Sequence, residues 1–376
     1  MNRRVFICLA LCLVFSAFGL DYFEFEQEYD IVPTERNSYI MYTTEATYDP
    51  ATPTFFTRIL VEIDDSHEII AMNKHTYDAD ERIVYDMIPK NSDEYIIVTS
   101  LKNIYTITSD LEFVLTGELD RDTLAMDGSY CFEEIGSQLF YFNSYSSAGE
   151  FFWEEYSLNG DFIADGTFPP GHRDYNIMST RNSENHDMLL QTCLLAGYII
   201  EETGFYQIRL ITDDYEVYDS VTVNDSCLYS WPVLTETVDS GFVVLYCPKD
   251  DSLTLEHSCC ILAKYSSELE LEWQRRYDLS DSSTVHYLVQ LPDGYLYILE
   301  QHGSTSSVTA YIWKLAPDGE LIDRVAIIST ADDLDAKLEA TSDGDLLIHG
   351  NIWYYDAIDM SFAATIDPDD LSMEDI

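Results

Sequence analysis

The chain has 376 residues, 46 % of them apolar and 14 % aromatic, which is enough to bury a large core and too much for a disordered polymer. Its 69 acidic residues stand against 19 basic ones, a net charge of −50 spread through every segment. That balance argues against nucleic acid and anionic membrane as partners, since both are bound through clustered Lys and Arg. It fits a soluble surface in a medium salty enough to screen self-repulsion.

Residues 1–19 carry the three parts of a secretory signal: Asn2-Arg3-Arg4, the apolar run Val5 to Phe18, and Ala17-Phe18-Gly19 as a small-x-small cleavage site. The run is about 14 residues long, short of the roughly 20 that span a bilayer, so cleavage and export are expected rather than an anchor. Lipidation at Cys12 is disfavoured because Leu11 precedes it. The expected mature domain is 20–376, with no transmembrane segment. Loss of Arg3 and Arg4 takes its net charge from −50 to −52.

Beyond the signal, one pattern recurs to the end of the chain. An apolar residue stands just before a turn at Ile63, Ile107, Tyr156, Ile211, Tyr265, Leu315 and Ile366, at spacings between 44 (63 to 107) and 55 (156 to 211). Six residues after each of the first six comes another apolar residue: Ile69, Phe113, Phe162, Val217, Leu271 and Leu321. Upstream of each marker lies a short strand: Tyr39–Tyr42, Tyr95–Val98, Leu139–Phe142, Met188–Gln191, Phe242–Tyr246, Tyr295–Leu299 and Leu346–His349. Turn residues precede most of these, and a further extended run precedes the turns. Asp293-Gly294 and Asp318-Gly319 are hairpin signals between runs rich in β-branched and aromatic residues.

Each unit therefore reads as four short antiparallel strands, the repeat of a β-propeller blade. A small twisted sheet cannot bury both faces alone, and radial stacking between two neighbours does so. The expected fold is all-β, a single β-propeller of seven four-stranded blades, with six or eight as the error range. A β-sandwich pair or a right-handed β-helix is the competing topology. Two closures are open: Asp21–Glu26 as an outer strand of the last blade, or packing of the first blade on the last.

The segments Asp293-Gly294-Tyr295-Leu296, Ala310-Tyr311-Ile312-Trp313-Lys314-Leu315 and Asp318-Gly319-Glu320-Leu321 resemble a repeat of secreted bacterial propeller-like proteins. In those repeats an Asp-Gly-Gly-aromatic turn is followed by Lys-Leu-Asp-x-x-Gly and a Trp. Lys264 and Lys314 match the lysine and Trp273 the closing Trp, while the second glycine is missing throughout. The resemblance implies a propeller at or outside a bacterial cell surface and no shared catalytic residues, because the pattern is one of packing.

Six cysteines follow the signal: Cys131, Cys193, Cys227, Cys247, Cys259 and Cys260. Six in a mature chain of this length do not make a disulfide scaffold. Cys247 could be clipped to Cys259 or Cys260, or all could pack as free thiols. No metal site is expected: there is no C-x-x-C pair, and Glu256-His257 beside Cys259 offers one His in a long loop. No cofactor is expected either, and calcium is only a secondary reading because no Asp-x-[Asn/Asp]-x-[Asn/Asp]-Gly loop is present.

Propeller ligands gather where the inner strands reach the central axis, which singles out His172, Arg173 and Asp174 after Pro169-Pro170-Gly171, together with Trp231 and His286. The first three read as a channel-mouth site or as a polar loop between blades three and four. His286 reads as a packed or channel-lining residue, and no catalytic residue is assigned. The loops around Thr43–Thr54, Leu194–Gly204 and Pro248–Ser258 are where a binding surface would lie, with Tyr48, Tyr145 and Tyr229 able to stack on sugars. The function expected is a secreted, non-enzymatic binding or scaffold module for a protein, glycan or cell-surface component. The alternative is a secreted polysaccharide hydrolase or lyase with its site at the channel mouth.

Overall fold

The computed structural model describes 27 strands between residues 29 and 366 and the tight turns beside them, ending at Ser372. Residues 1–28 and 373–376 and the longer connections lie outside the described residues, as does the signal expected at 1–19. In the first sheet β1 (Tyr29–Pro33), β2 (Ser38–Thr47), β3 (Phe55–Asp64) and β4 (Ile69–Tyr77) pair in chain order. The second holds β5 (Val84–Asn91), β6 (Glu94–Thr99), β7 (Asn103–Ile107) and β8 (Phe113–Glu118). The third holds β9 (Tyr130–Ile135), β10 (Gln138–Asn143), β11 (Phe152–Ser157) and β12 (Phe162–Thr167). In the fourth are β13 (Arg173–Arg181), β14 (Asp187–Leu195), β15 (Phe205–Ile211) and β16 (Val217–Val223). The fifth contains β17 (Val233–Glu236), β18 (Phe242–Tyr246), β19 (Cys259–Tyr265) and β20 (Leu271–Asp278). The sixth contains β21 (Ser283–Gln290), β22 (Leu296–Ser304), β23 (Ser307–Leu315) and β24 (Leu321–Ala331). The seventh has three described strands, β25 (Asp333–Ala340), β26 (Leu346–Trp353) and β27 (Met360–Ile366), where the sequence pattern predicts four.

Every pairing is antiparallel between neighbours in the chain, and the first strands of successive sheets lie against one another from β5 through β9, β13, β17 and β21 to β25. First strands at the centre and fourth strands outside make this an all-β β-propeller. Burial follows the same order. In the fifth sheet β18 and β19 are buried throughout, whereas β20 is exposed except at Trp273 and Tyr277, which are half-buried. Alternate residues of one sheet serve different neighbours. Tyr297, Leu299, Ala310 and Ile312 of the sixth sheet pack on Leu338, Ile348 and Ile366 of the seventh. Leu296, Ile298, Trp313 and Leu315 pack on Val243, Leu245, Cys260 and Leu262 of the fifth.

The turns are one device repeated. In Thr108–Glu112, Ser157–Asp161, Thr237–Gly241, Ser266–Glu270, Leu291–Tyr295 and Ala316–Glu320 the fourth residue donates its N–H to the carbonyl of the first, and the first donates to the fifth. The fourth residue has a left-handed backbone: Leu111, Gly160, Ser240, Leu269, Gly294 and Gly319. This is the three-residue hairpin loop with a bulge, and the register slips accordingly at Lys264/Tyr265 and Lys314/Leu315. The Asp of Asp-Gly sits one place earlier and closes the loop: Asp293 and Asp318 accept from the backbone N–H two residues on.

Three of these turns also tie their sheet to the one before it. Asn73 on β4 donates to the Leu111 carbonyl at 2.9 Å, Arg275 and Tyr277 on β20 reach Asp318 and the Gly319 carbonyl, and Lys314 on β23 donates to the Pro368 carbonyl at 2.6 Å. Connectivity then sorts the two ends of the ring. The tight turns from first to second and from third to fourth strands share one end. The longer connections from second to third strands, at 48–54, 144–151, 196–204 and 248–258, and the links between sheets leave from the other.

Cys247, Cys259 and Cys260 are buried and form no disulfide, so of the two readings left open the packed thiols hold and the clip from Cys247 does not. Cys247 and Cys260 belong to the apolar layer between the fifth and sixth sheets. Burial pushes the Cys260 thiol well up, and Cys247, Cys259 and the Glu300 carboxylate add to it, so the thiol stays neutral and packs as a small apolar group.

Candidate functional site

The inner-strand starts at the long-connection end are the natural place to look, because there the sheets converge on the axis and the chain is least constrained by repeat turns. Arg173 and Asp174 open β13, paired with Leu194 and Cys193, and the register slips just after Asp174. His286 lies on β21 at the slip between Val285 and Tyr287. The sequence-predicted residues thus reach the same end of the ring but stand on the fourth and sixth sheets, with the fifth between them. His172 and Trp231 lie outside the described residues. So do most of the loops read as a binding surface, and Tyr48, Tyr145 and Tyr229 with them.

One polar pair at this end went unnoticed in the sequence. Ser283, fully buried at the start of β21, has its Oγ 3.1 Å from Nδ1 of half-buried His302 on β22. The two are cross-strand partners, nineteen positions apart in the chain, so only the register reveals them. The hydrogen bond occupies Nδ1 and anchors the ring at the sheet's end.

The densest charged group lies deeper, on the face of the sixth sheet turned to the fifth. Glu300, with no exposed surface, accepts at Oε2 from Trp313 Nε1 at 2.6 Å and from Arg324 Nε at 2.8 Å. The second guanidinium nitrogen of Arg324 lies 2.7 Å from the same oxygen. Arg324 also stacks over the Tyr311 ring at 4.1 Å, and Trp313 meets Tyr277 of the fifth sheet edge-on. Oε1 of Glu300 has no hydrogen-bond partner among the described residues. A carboxylate held at Oε2 by Arg and Trp, with Oε1 buried as well, orients a blade interface and presents no oxygen to solvent.

A second group ties the turn end of the fifth sheet. Lys264 on β19 contacts Asp239 of the β17–β18 turn and lies 2.9 Å from Glu272 on β20. Burial raises the Asp239 carboxyl, but the bonds from Lys264, Thr237 and Gly241 outweigh it and hold the group below its usual range. For Lys264 burial acts downward and is outweighed by Asp239 and Glu272, which raise it. Among the described residues no group of three or more His, Cys, Asp or Glu is arranged to hold a metal ion, and no helix is long and apolar enough to cross a membrane.

No family model matches the chain, and no curated protein matches it by sequence. Solved structures resemble it in fold. Apo AztD from Citrobacter koseri is 10 % identical over 94 % of this chain and 87 % of its own, with a TM-score of 0.45. The β-propeller domain of the Trilobed protease from Pyrococcus furiosus is 11 % identical over 89 % and 98 %, with a TM-score of 0.48. The polysaccharide lyase Uly1 is 9 % identical over 93 % and 90 %, with a TM-score of 0.49. The chain is thus similar to β-propeller proteins, bacterial ones among them, by structure alone, and the likeness says nothing of ligand or chemistry.

Proposed function

We propose that this chain is an exported, acidic β-propeller, residues 20–376, whose seven sheets form one ring that binds a protein, glycan or cell-surface component without transforming it. The observation that carries this reading is the inequality of the two ends. The turn end is locked by a single repeated loop and by ties between sheets. The other end gathers the long connections and the polar starts of β13 and β21. Variable loops on a rigid scaffold are the ordinary way a propeller presents a recognition surface. A net charge of −50 favours neutral or cationic ligands over anionic ones.

Calorimetric titration of the purified mature chain against neutral polysaccharides and basic peptides, alongside a reducing-end assay on the same polysaccharides, tests the proposal. Saturable binding without release of reducing ends supports it, with Arg173→Ala or His286→Ala expected to weaken that binding. Release of reducing ends would establish the hydrolase or lyase reading, and an alkene absorbance at the new chain ends would identify a lyase.

A further inference from the structure

We infer that the outer strands at the turn end form a second docking surface, one that takes a basic, amphipathic segment of a partner protein. It lies at the opposite end from the loop surface proposed above and begins with a repeated exception to burial. The second residue of the outer strand is apolar and 43–54 % exposed in five of the first six sheets: Ile70, Val114, Ile163, Tyr218 and Ile322. At Ile70, Ile163, Tyr218 and Ile322 the register slips by one, so the residue sits in a bulge without a cross-strand partner. The fifth sheet keeps the bulge but places Glu272 there, on Lys264, and exposes Leu271 beside it. Single exposed apolar residues are ordinary, whereas the same position recurring on successive blades makes a surface.

An acid stands just ahead of each outer strand: Glu68, Glu112, Asp161, Glu216, Glu270 and Glu320. The turn does not ask for a carboxylate here. It uses the residue through its backbone, the carbonyls of Glu112, Asp161, Glu270 and Glu320 accepting from the first N–H of the loop. These four side chains are exposed, and among the described residues none is in an ion pair. Only Asp161 takes a side-chain hydrogen bond, from Ser157.

Charge names the occupant. These blades offer a carboxylate followed within two residues by an exposed apolar side chain. A second copy would set the acids against their like, and a bilayer would have to strip them of water. A polypeptide with Lys or Arg beside apolar anchors satisfies both halves of the pattern.

The test is calorimetric titration of the mature chain, residues 20–376, with a helical Leu/Lys peptide of about 18 residues and with a Ser/Lys peptide of equal charge. Saturable binding of the Leu/Lys peptide is expected. It should weaken about 10-fold or more in the triple variant Tyr218→Ser, Leu271→Ser, Ile322→Ser, in the double variant Glu270→Gln, Glu320→Gln, and in the Ser/Lys peptide. Equal affinity for the two peptides, or indifference to the triple variant, would overturn the inference. Binding lost in Arg173→Ala and kept in the triple variant would also overturn it and assign the peptide to the loop end. Photo-cross-linking of the Leu/Lys peptide to the wild-type chain answers without any variant. Adducts at the starts of β16, β20 and β24 support the inference, and adducts confined to the long connections overturn it. Binding to phosphatidylcholine vesicles, or a dimer on sizing at high salt, abolished by the triple variant, would assign the surface to a bilayer or to a second copy and overturn the inference.

Discussion

The fifth and sixth sheets share a backbone plan and differ in where one lysine goes. Lys264 and Lys314 occupy the same place, one residue before the end of the third strand. Lys264 stays within its sheet, on Asp239 and Glu272. Lys314 leaves its sheet for the Pro368 carbonyl of the seventh and lies 4.9 Å above the Tyr295 ring. Two neighbours decide this. The fifth sheet has Glu272 where the sixth has Ile322, and Gly241 where the sixth has Tyr295. With no acid on the fourth strand and an aromatic face beneath it, the ammonium turns outward to the next blade. A repeat thus conserves the backbone site and lets adjacent side chains choose between closing a blade on itself and joining two blades.

The strongest way to break the pair is at their shared interface. Trp313→Ala should cost about 3–5 kcal/mol in denaturant unfolding, because it opens the layer against Tyr277 and deprives Glu300 of a donor. The turn residue comes next, since Leu269 and Gly319 hold the same left-handed position in the two sheets. Leu269 is buried, so Leu269→Ala should cost about 2–4 kcal/mol, and Leu269→Gly about 1 kcal/mol less because glycine releases the backbone strain. In the sixth sheet a Cβ at Gly319 would lie 2.8 Å from the Trp273 ring, so Gly319→Ala should cost more than Gly344→Ala, whose Cβ would meet nothing within 4 Å.

Smaller effects separate the lysines. Lys314→Met should cost about 0.5–1.5 kcal/mol by removing one of the two donors to the Pro368 carbonyl, which keeps the Tyr297 hydroxyl, and Lys264→Met about 0.5–1 kcal/mol, since its acids are half-exposed. The last comparison is with pH. The Asp239 carboxyl is depressed, so its contribution is present above 3.8 and lost as pH falls through its lower folded value. Lys264 is raised, so its contribution is present below 10.5 and lost as pH rises through its higher folded value. The melting difference between the wild type and Asp239→Asn should therefore be present at neutral pH and vanish at either extreme.

Much of this architecture is visible in the chain before folding. Ile69, Phe113, Phe162, Val217, Leu271 and Leu321 each begin a fourth strand, and the apolar markers before them lie at or next to the ends of third strands. The markers are legible because a turn of fixed length forces a fixed spacing between apolar groups. The turns themselves are half legible. Gly160 and Gly319 announce a left-handed residue, while Leu111, Leu269 and Leu371 take the same conformation with buried side chains, and leucine carries no turn signal. The Ser283–His302 pair and the reach of Glu300 to Arg324 depend on cross-strand register, which a linear reading does not contain. Arg173, Asp174 and His286 lie at the starts of inner strands, which follow from the repeat, whereas their separation by a whole sheet follows only from the order of the sheets.

Three ties between sheets point one way along the chain, an earlier sheet gripping a turn that has yet to be made, while one runs back, the Val238 N–H of the fifth sheet donating to Gln290 of the sixth. Asn73 waits for Leu111, Arg275 for Asp318, and Lys314 for Pro368. A polypeptide emerging N-terminus first would therefore hold the first, fifth and sixth blades with these contacts unfilled until the next turn appears. The last of these forward grips to be satisfied is that of the sixth blade on the turn that follows β27.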